Sequence, residues 1–410
     1  MALAESVSDS VPTSITRSSP ALAALPLAFA GVVVVLAYWA VDSSSPALTD
    51  LRDDLALSGT VAGLVFSFFF AGRLIGNFPA AALVDRIGPA MTAAAGGATL
   101  LIGAAIAALA FNAPMVLGAR LLEGIGVAFL VSAGLLSILR ARPGGGAAMS
   151  LFTLLSTVGG VLGLTTGGWL TETLSWRSVF ALHVVLGAAA LGVTLSLRLR
   201  NRTPALEPLL HSEAATTEPA SRSVITTGLI ANLLVFVNYS LFIVALPLYS
   251  DERFGASPEQ ISLLLLTMTI SHLVLAYPAG MLIRRHGAMR VLILGNLAAV
   301  AGMLLMLAVS GLWLLVPPLT LYSLGQVCSS NASGDFLLQQ GGRGGKAVGM
   351  LRLSSDLGLV LGPLAVGLIA DLAGYRSPFI FLSAITIAGT VLTIGRLQTA
   401  RRATVRSVAG

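Results

Sequence analysis

GGVLGLTTGG (residues 159–168) returns 199 residues later as GLVLGPLAVG (residues 358–367). Gly159, Val161, Leu162, Gly163 and Gly168 fall on Gly358, Val360, Leu361, Gly362 and Gly367 without a gap. The same offset carries Arg177, Ser178 and Phe180 onto Arg376, Ser377 and Phe379. It also carries Pro79, Leu83, Arg86 and Gly88 onto Pro278, Leu282, Arg285 and Gly287, and Gly126 onto Gly325. One offset serving segments so far apart means that the chain is one unit built twice, as parallel copies.

Composition says what the unit is made of. The 410 residues are 56% hydrophobic and only 10% charged, with a mean hydropathy of +0.90. A soluble chain carries about 25% charged residues, so the solvent here is largely lipid. The net charge of +6 would suggest nucleic acid in a soluble protein. In this chain the basic residues sit in short loops between apolar runs, so no nucleic-acid partner is expected. Cys328 is the lone cysteine, which excludes an internal disulfide. No Cys/His cluster offers a metal site, and Gly124-x-Gly126 lacks the preceding strand of a dinucleotide site. No metal, cofactor or enzymatic activity is therefore expected. The opening residues are polar and Ser/Thr-rich with no cleavage signal before Leu25, so the first apolar run should stay as a span.

Runs long enough to cross about 30 Å of hydrocarbon lie near 24–48, 60–83, 89–110, 114–138, 147–171 and 178–198, and again near 224–249, 260–283, 288–309, 312–335, 347–371 and 377–397. The expectation is an all-α integral membrane protein with twelve transmembrane helices in two pseudo-symmetric six-helix bundles. The tail 1–23 and the polar linker 199–223 flank the bundle 24–198, and the bundle 224–397 is followed by the tail 398–410. Seventeen of the 24 Lys and Arg fall on the side of the termini, which places both termini in the cytoplasm of an inner (plasma) membrane.

Residues 81–88, AALVDRIG, follow span 2 and resemble the Gly-x-Leu-x-Asp-Arg-x-Gly signature of the major facilitator superfamily. A second copy, GMLIRRHG at 280–287, follows span 8. The first copy has Ala81 at the leading glycine and lacks the trailing basic residues. The resemblance implies a gate of Asp85, Arg86 and Gly88, with Arg285 and Gly287 in the second half, in which Asp85 meets the start of span 11 near Lys346–Gly349. The partial positive charge of a helix N-terminus would attract that carboxylate. Arg120-x-x-Glu123-Gly124-x-Gly126 in span 4 resembles the family's Arg-x-x-x-Gly-x-Gly motif, whose arginine is implicated in proton movement. The glycines of span 5, Gly159 and Gly163, are similar to an antiporter motif with Leu164 in place of its proline; Gly362-Pro363 keeps that proline in the second half. Helix packing alone would also explain these glycines. Asp42-x-x-x-Pro46-Ala47-Leu48 is similar to the end of helix 1 in bicyclomycin-resistance-type drug/proton antiporters. The family implies alternating access by a monomer.

Ionisable groups inside spans cost about 2.5–3.5 kcal/mol on insertion scales, so each needs a partner, a wet cavity or a role. Arg73 lies about 18 Å along the helix from Asp85, near mid-membrane, and its repeat-mate is His272. Together they suggest an anion-attracting site; the other reading is that Arg73 pairs with an acid of its own bundle. With Asn238 and Tyr239 they are the residues expected at the substrate cavity. Arg120 and Glu123, three apart, share a helix face and can neutralise each other. Arg352, Asp356 and Asp335 read as an internal ion-pair latch, and His183 as packing. Asp42 is the expected proton carrier, with Arg120 and Glu123. Its repeat-mate Leu241 lies within a longer apolar stretch, so by symmetry span 1 should run on to about Leu48. That would leave Asp42 half-buried, where the charged form is disfavoured and a proton can be held. The function expected is secondary transport of a small organic molecule, by proton-coupled efflux; proton-coupled carriage of organic anions or other metabolites is the alternative.

Overall fold

The computed structural model describes residues 20–141, 145–199, 222–341 and 345–409. The expected N-terminal tail 1–23 and linker 199–223 lie almost wholly outside them. The described residues are helical nearly throughout. Span 1 is Pro20–Asp42, followed after a break by a short helix, Leu48–Asp54. Residues Gly59–Ala108 number 50, and as one straight helix would reach about 75 Å at 1.5 Å per residue, more than twice the hydrocarbon thickness. Gly88, at φ 82°, breaks it into spans 2 and 3. Spans 4, 5 and 6 are Ala113–Ala141, Gly145–Thr173 and Trp176–Leu199. Span 7 is composite: Arg222–Asn238, a π-helical turn Leu241–Ala245, and Leu246–Phe254. Spans 8 and 9 are Pro258–His286 and Ala288–Met306. Span 10 starts as a 3-10 turn, Leu312–Leu315, and continues as Val316–Gly341; spans 11 and 12 are Gly345–Ala373 and Ser377–Ala409. The chain thus folds into twelve membrane-crossing helices in two halves.

The repeat read from sequence recurs in backbone detail. Gly88 and Gly287 turn with φ 82° and 83°. Ser58 and Ser257 cap spans 2 and 8 by accepting from Val61 and Gln260 backbone N–H groups. Ala56 and Gly255 both take left-handed φ, 49° and 61°. Each of these pairs is 199 residues apart.

Glycines set how closely the spans approach. A Cβ on Gly126 would lie 2.6 Å from Leu100 N, and one on Gly103 would lie 2.9 Å from Ala119 O, so spans 3 and 4 meet backbone to backbone. Gly187 brings span 6 equally near to Gly97 of span 3. Without a hydrophobic force between helices in lipid, such contact is what holds a bundle together.

The halves meet on the face that carries Arg52. Arg52 Nη2 pairs with Asp251, its own repeat-mate, at 3.0 Å, and Nη1 donates to Tyr375 at 3.2 Å. Asp371, at the end of span 11, accepts from the backbone N–H groups of Gly59 and Thr60 at 2.6 and 2.7 Å, capping span 2 across the divide. Ser262 of span 8 donates to Leu164 O of span 5 at 2.5 Å, and Gly168 lets the two spans touch. On the same face Asp54 bonds Arg177 and Trp176, which hold its carboxyl below the usual carboxylate range. Toward the opposite face, which carries Asp85, a cavity of about 270 Å³ lies between the halves, lined by Asn77, Leu135, Leu351 and Arg352.

Candidate functional site

Span 1 stops where the chain reads Asp42-Ser43-Ser44-Ser45-Pro46. Proline has no N–H for the helical ladder and disfavours helical geometry in the residue before it. The serine side chains then make bonds that the helix no longer makes. Ser43 Oγ lies 2.7 Å from His183 Nε2, Ser44 Oγ accepts from Arg120 Nη1 at 3.2 Å, and Ser45 Oγ donates to Ile243 O at 3.1 Å. All three serines are buried, and irregular backbone is tolerated at membrane depth when enclosed in protein. The expected continuation of span 1 to Leu48 is therefore corrected: the helix breaks after Asp42. Span 7 makes its π-helical turn at the repeat-related position, so both copies loosen there.

The break leaves Asp42 half-buried on the last turn of span 1. Its carboxylate rests on span 5, where a Cβ on Gly160 would lie 2.5 Å from Oδ2. It lines a cavity of about 310 Å³ with Tyr38, Phe66, Phe70, Arg73, Phe236 and Tyr239. A second opening of about 160 Å³ reaches it between spans 5 and 8, past Thr157, Thr269 and His272. No hydrogen bond or close ion pair joins Asp42 to a described residue, and the opposite charge that acts on it is Arg73, on the wall of the same cavity.

Arg73, by contrast, is paired. It donates to Asp356 of span 11, which also accepts from Asn77 Nδ2 at 2.8 Å, and it stacks 5.0 Å from the centre of the Phe70 ring. The partner belongs to the other half, and this pairing replaces the expected latch of Arg352 with Asp356. Asp335 instead accepts from Gln339 on its own helix at 2.6 Å. His272 is near Met268 O and Ser323 and lines the second opening, which meets the Arg73 cavity at Tyr38, Asp42 and Tyr239. Tyr239 lines the cavity with Asp42. Asn238 is turned into its own half, with Nδ2 donating to Thr386 and its main-chain O accepting from Tyr322.

Arg120 and Glu123 are fully buried and joined at 2.5 Å. The other Glu123 oxygen lies 2.9 Å from His183 Nδ1, also fully buried, and the Arg120 guanidinium sits 4.3 Å from the centre of the Phe69 ring. His183 is thus part of a charged cluster rather than of the apolar packing. The span 5 glycines pack on span 1: a Cβ on Gly159 would lie 2.5 Å from Val35 O, and one on Gly163 would lie 2.6 Å from Trp39 O. Gly362 receives Val237 O of span 7 in the same way, and the Pro363 carbonyl abuts Gly63 across the divide. Asp85 pairs with Arg140 of its own half at 2.8 Å. The side chain of Lys346, its expected neighbour, lies outside the described residues. Arg86 and Arg285 are exposed beside the Gly88 and Gly287 turns.

Comparison with known proteins gives these features a family. The sequence model of the Major Facilitator Superfamily matches residues 27–230 and 228–409. An "Uncharacterized MFS-type transporter EfpA" of Mycobacterium tuberculosis is 32% identical over 34% of this chain and 27% of its own length. A "Methylenomycin A resistance protein" of Bacillus subtilis is 30% identical over 38% of this chain and 34% of its own. A "Putative multidrug resistance protein MdtD" of Pectobacterium carotovorum is 24% identical over 60% of this chain and 64% of its own. The matched stretches thus span less than two thirds of these relatives. Among solved structures, the nucleoside transporter NupG superposes with a TM-score of 0.71 at 13% identity, over 91% of this chain and 99% of its own. A bacterial homolog of the human lysosomal transporter Spinster, inward-facing and unoccupied, gives 0.71 at 16%, over 95% and 98%. Both likenesses are of fold.

Proposed function

The chain belongs to the major facilitator superfamily, and on that premise we propose that it exports a small organic molecule, most favourably a cation, in exchange for protons. The observation that carries this reading is the Asp42 carboxylate, without a close ion pair, among aromatic rings in a cavity between the halves whose one basic side chain, Arg73, is paired with Asp356. An organic cation would gain an ion pair there, together with cation–π contacts from Tyr38, Tyr239 and the phenylalanines. A proton neutralises the same carboxylate, so proton and cation compete for one group. Exchange then follows without a separate coupling device. Pairing of Arg73 with Asp356 works against the alternative of an organic-anion carrier, because the guanidinium is already neutralised. With the basic loops facing the cytoplasm, the Arg52 face would be the external one, and the contacts that join the halves there support an inward-facing arrangement. The names of the relatives, with resistance and multidrug among them, support the direction of transport.

The test is a growth-inhibition panel of lipophilic cations and organic acids, using cells that overexpress the protein or its Asp42→Asn form. Resistance to cations that Asp42→Asn abolishes is the expected result. Altered growth only on organic acids, equal in both forms, would favour the anion carrier.

A further inference from the structure

The buried cluster behind the span 1 break has no counterpart in the second half. Shifted by 199 residues, Asp42, Ser43 and Ser44 fall on Leu241, Phe242 and Ile243, and Arg120, Glu123 and His183 fall on Leu319, Tyr322 and Leu382. Those six are buried in the hydrophobic core of their half. The same packing sites can thus be filled by Leu, Phe, Ile and Tyr, so the fold does not require charges there. Buried ion pairs are weak stabilisers compared with such apolar packing. Arg120 Nε and Nη2 even remain buried without a partner. The cluster is retained at one place only, where the backbone of span 1 opens one residue beyond Asp42.

We propose that His183 is a positioning residue for Asp42: held by Glu123, which Arg120 braces, it grips Ser43 and so fixes the unwound turn that presents the Asp42 carboxylate to the cavity. This rests on the reading of Asp42 given above. The ring bridges two oxygens, Ser43 Oγ at 2.7 Å through Nε2 and Glu123 Oε1 at 2.9 Å through Nδ1. Phe180 meets its edge at 5.4 Å between ring centres, which limits ring rotation. A neutral ring donating to Glu123 through Nδ1 accepts a hydrogen bond from the Ser43 hydroxyl at Nε2. A protonated ring donates to Ser43, whose hydroxyl must then turn toward Ala40 O, 3.4 Å away. The charged groups facing His183 are Glu123 and, beyond it, Arg120. The titratable groups around Asp42 are Tyr38, Arg73, Tyr239 and His272.

The test uses the full-length protein in lipid nanodiscs, with Cys328→Ser removing the native thiol and Ser45→Cys placing a reporter in the turn. The rate of alkylation by N-ethylmaleimide reads the turn. The pH midpoint for reaction of Asp42 with dicyclohexylcarbodiimide reads the carboxylate without any substrate. His183→Ala and His183→Asn should change the alkylation rate about tenfold and move the Asp42 midpoint by about one pH unit, a tenfold change in proton affinity. His183→Gln, whose amide reaches the Nε2 position, should retain both values. An unchanged alkylation rate in all variants, or an Asp42 midpoint that stays in place while the rate changes, overturns the proposal. A changed rate with no carbodiimide reaction at Asp42 at any pH supports the positioning role and sinks the proton-carrying reading instead.

Discussion

Asp42 and Arg73 are both ionisable groups lining the central cavity, and on the proposed reading their difference in pairing sets what the cavity can bind. Arg73 is matched by Asp356, and removing one member of such a buried pair leaves an uncompensated charge. Asp356→Asn should therefore lower stability by about 3 kcal/mol, at the lower end for buried pairs because Arg73 is partly exposed. The double variant Arg73→Met with Asp356→Leu should recover most of the loss, as read by thermal unfolding in detergent. Ala56 is the one positive-φ residue other than glycine among the described residues, where its repeat-mate is Gly255. Ala56→Gly should raise stability by about 1 kcal/mol, because an L-residue in left-handed geometry carries about that strain; an unchanged or lower melting temperature would contradict it. At this scale the sequence was only partly legible. It marked Asp42, Arg73 and Glu123 as charges in spans, but pairing across 283 residues, as in Arg73–Asp356, depends on how the halves dock. His183 was missed because a single histidine on an apolar helix reads as packing. The available signal lay in comparing the copies, where Glu123 and His183 oppose Tyr322 and Leu382.

The helices themselves were far more legible, since a span is set by length and hydropathy. Gly88 and Gly287 form turns and the glycines of span 5 pack against span 1, as the tight-turn and helix-packing readings of those stretches have it. What hydropathy misses is a break inside an apolar run, because serines carry little hydropathy of either sign and Pro46 can end a helix or bend it. The stripe of span 5 is what accepts the broken end of span 1: Gly163 faces Trp39 O and Ser43 N, and Gly167 faces the Ser43 backbone. Gly167→Ala would push a methyl group into that backbone, and overpacking of this kind costs about 1–3 kcal/mol. The expected outcome is lower thermal stability together with loss of transport. Gly192→Ala, where an added Cβ meets nothing within 4 Å, should leave both unchanged.

Taken whole, the molecule is a two-fold repeat closed at one end, and the closure is built around the repeat axis. Arg52 meets its own repeat-mate Asp251, and Asp371 caps span 2 from the other half. Opening the Arg52 face must break both. Partly exposed pairs are worth about 1 kcal/mol, so Arg52→Asp should speed labelling of Tyr239→Cys by an impermeant thiol reagent from that face about fivefold. The swap Arg52→Asp with Asp251→Arg should restore the slow rate; equal rates in all forms would remove this pair from the gate. The two-copy plan was readable from one offset, because a repeat needs no three-dimensional knowledge. Which face is closed was not readable, since both states of a rocking transporter share one sequence. The central claim is that the proton travels on Asp42. It is tested most directly by loading proteoliposomes with tetraphenylphosphonium and imposing a pH gradient across wild-type and Asp42→Asn protein. The expected result is gradient-driven flux in the wild type that falls to the protein-free rate in Asp42→Asn, with the variant inserted normally. Undiminished gradient-driven flux through Asp42→Asn would contradict it.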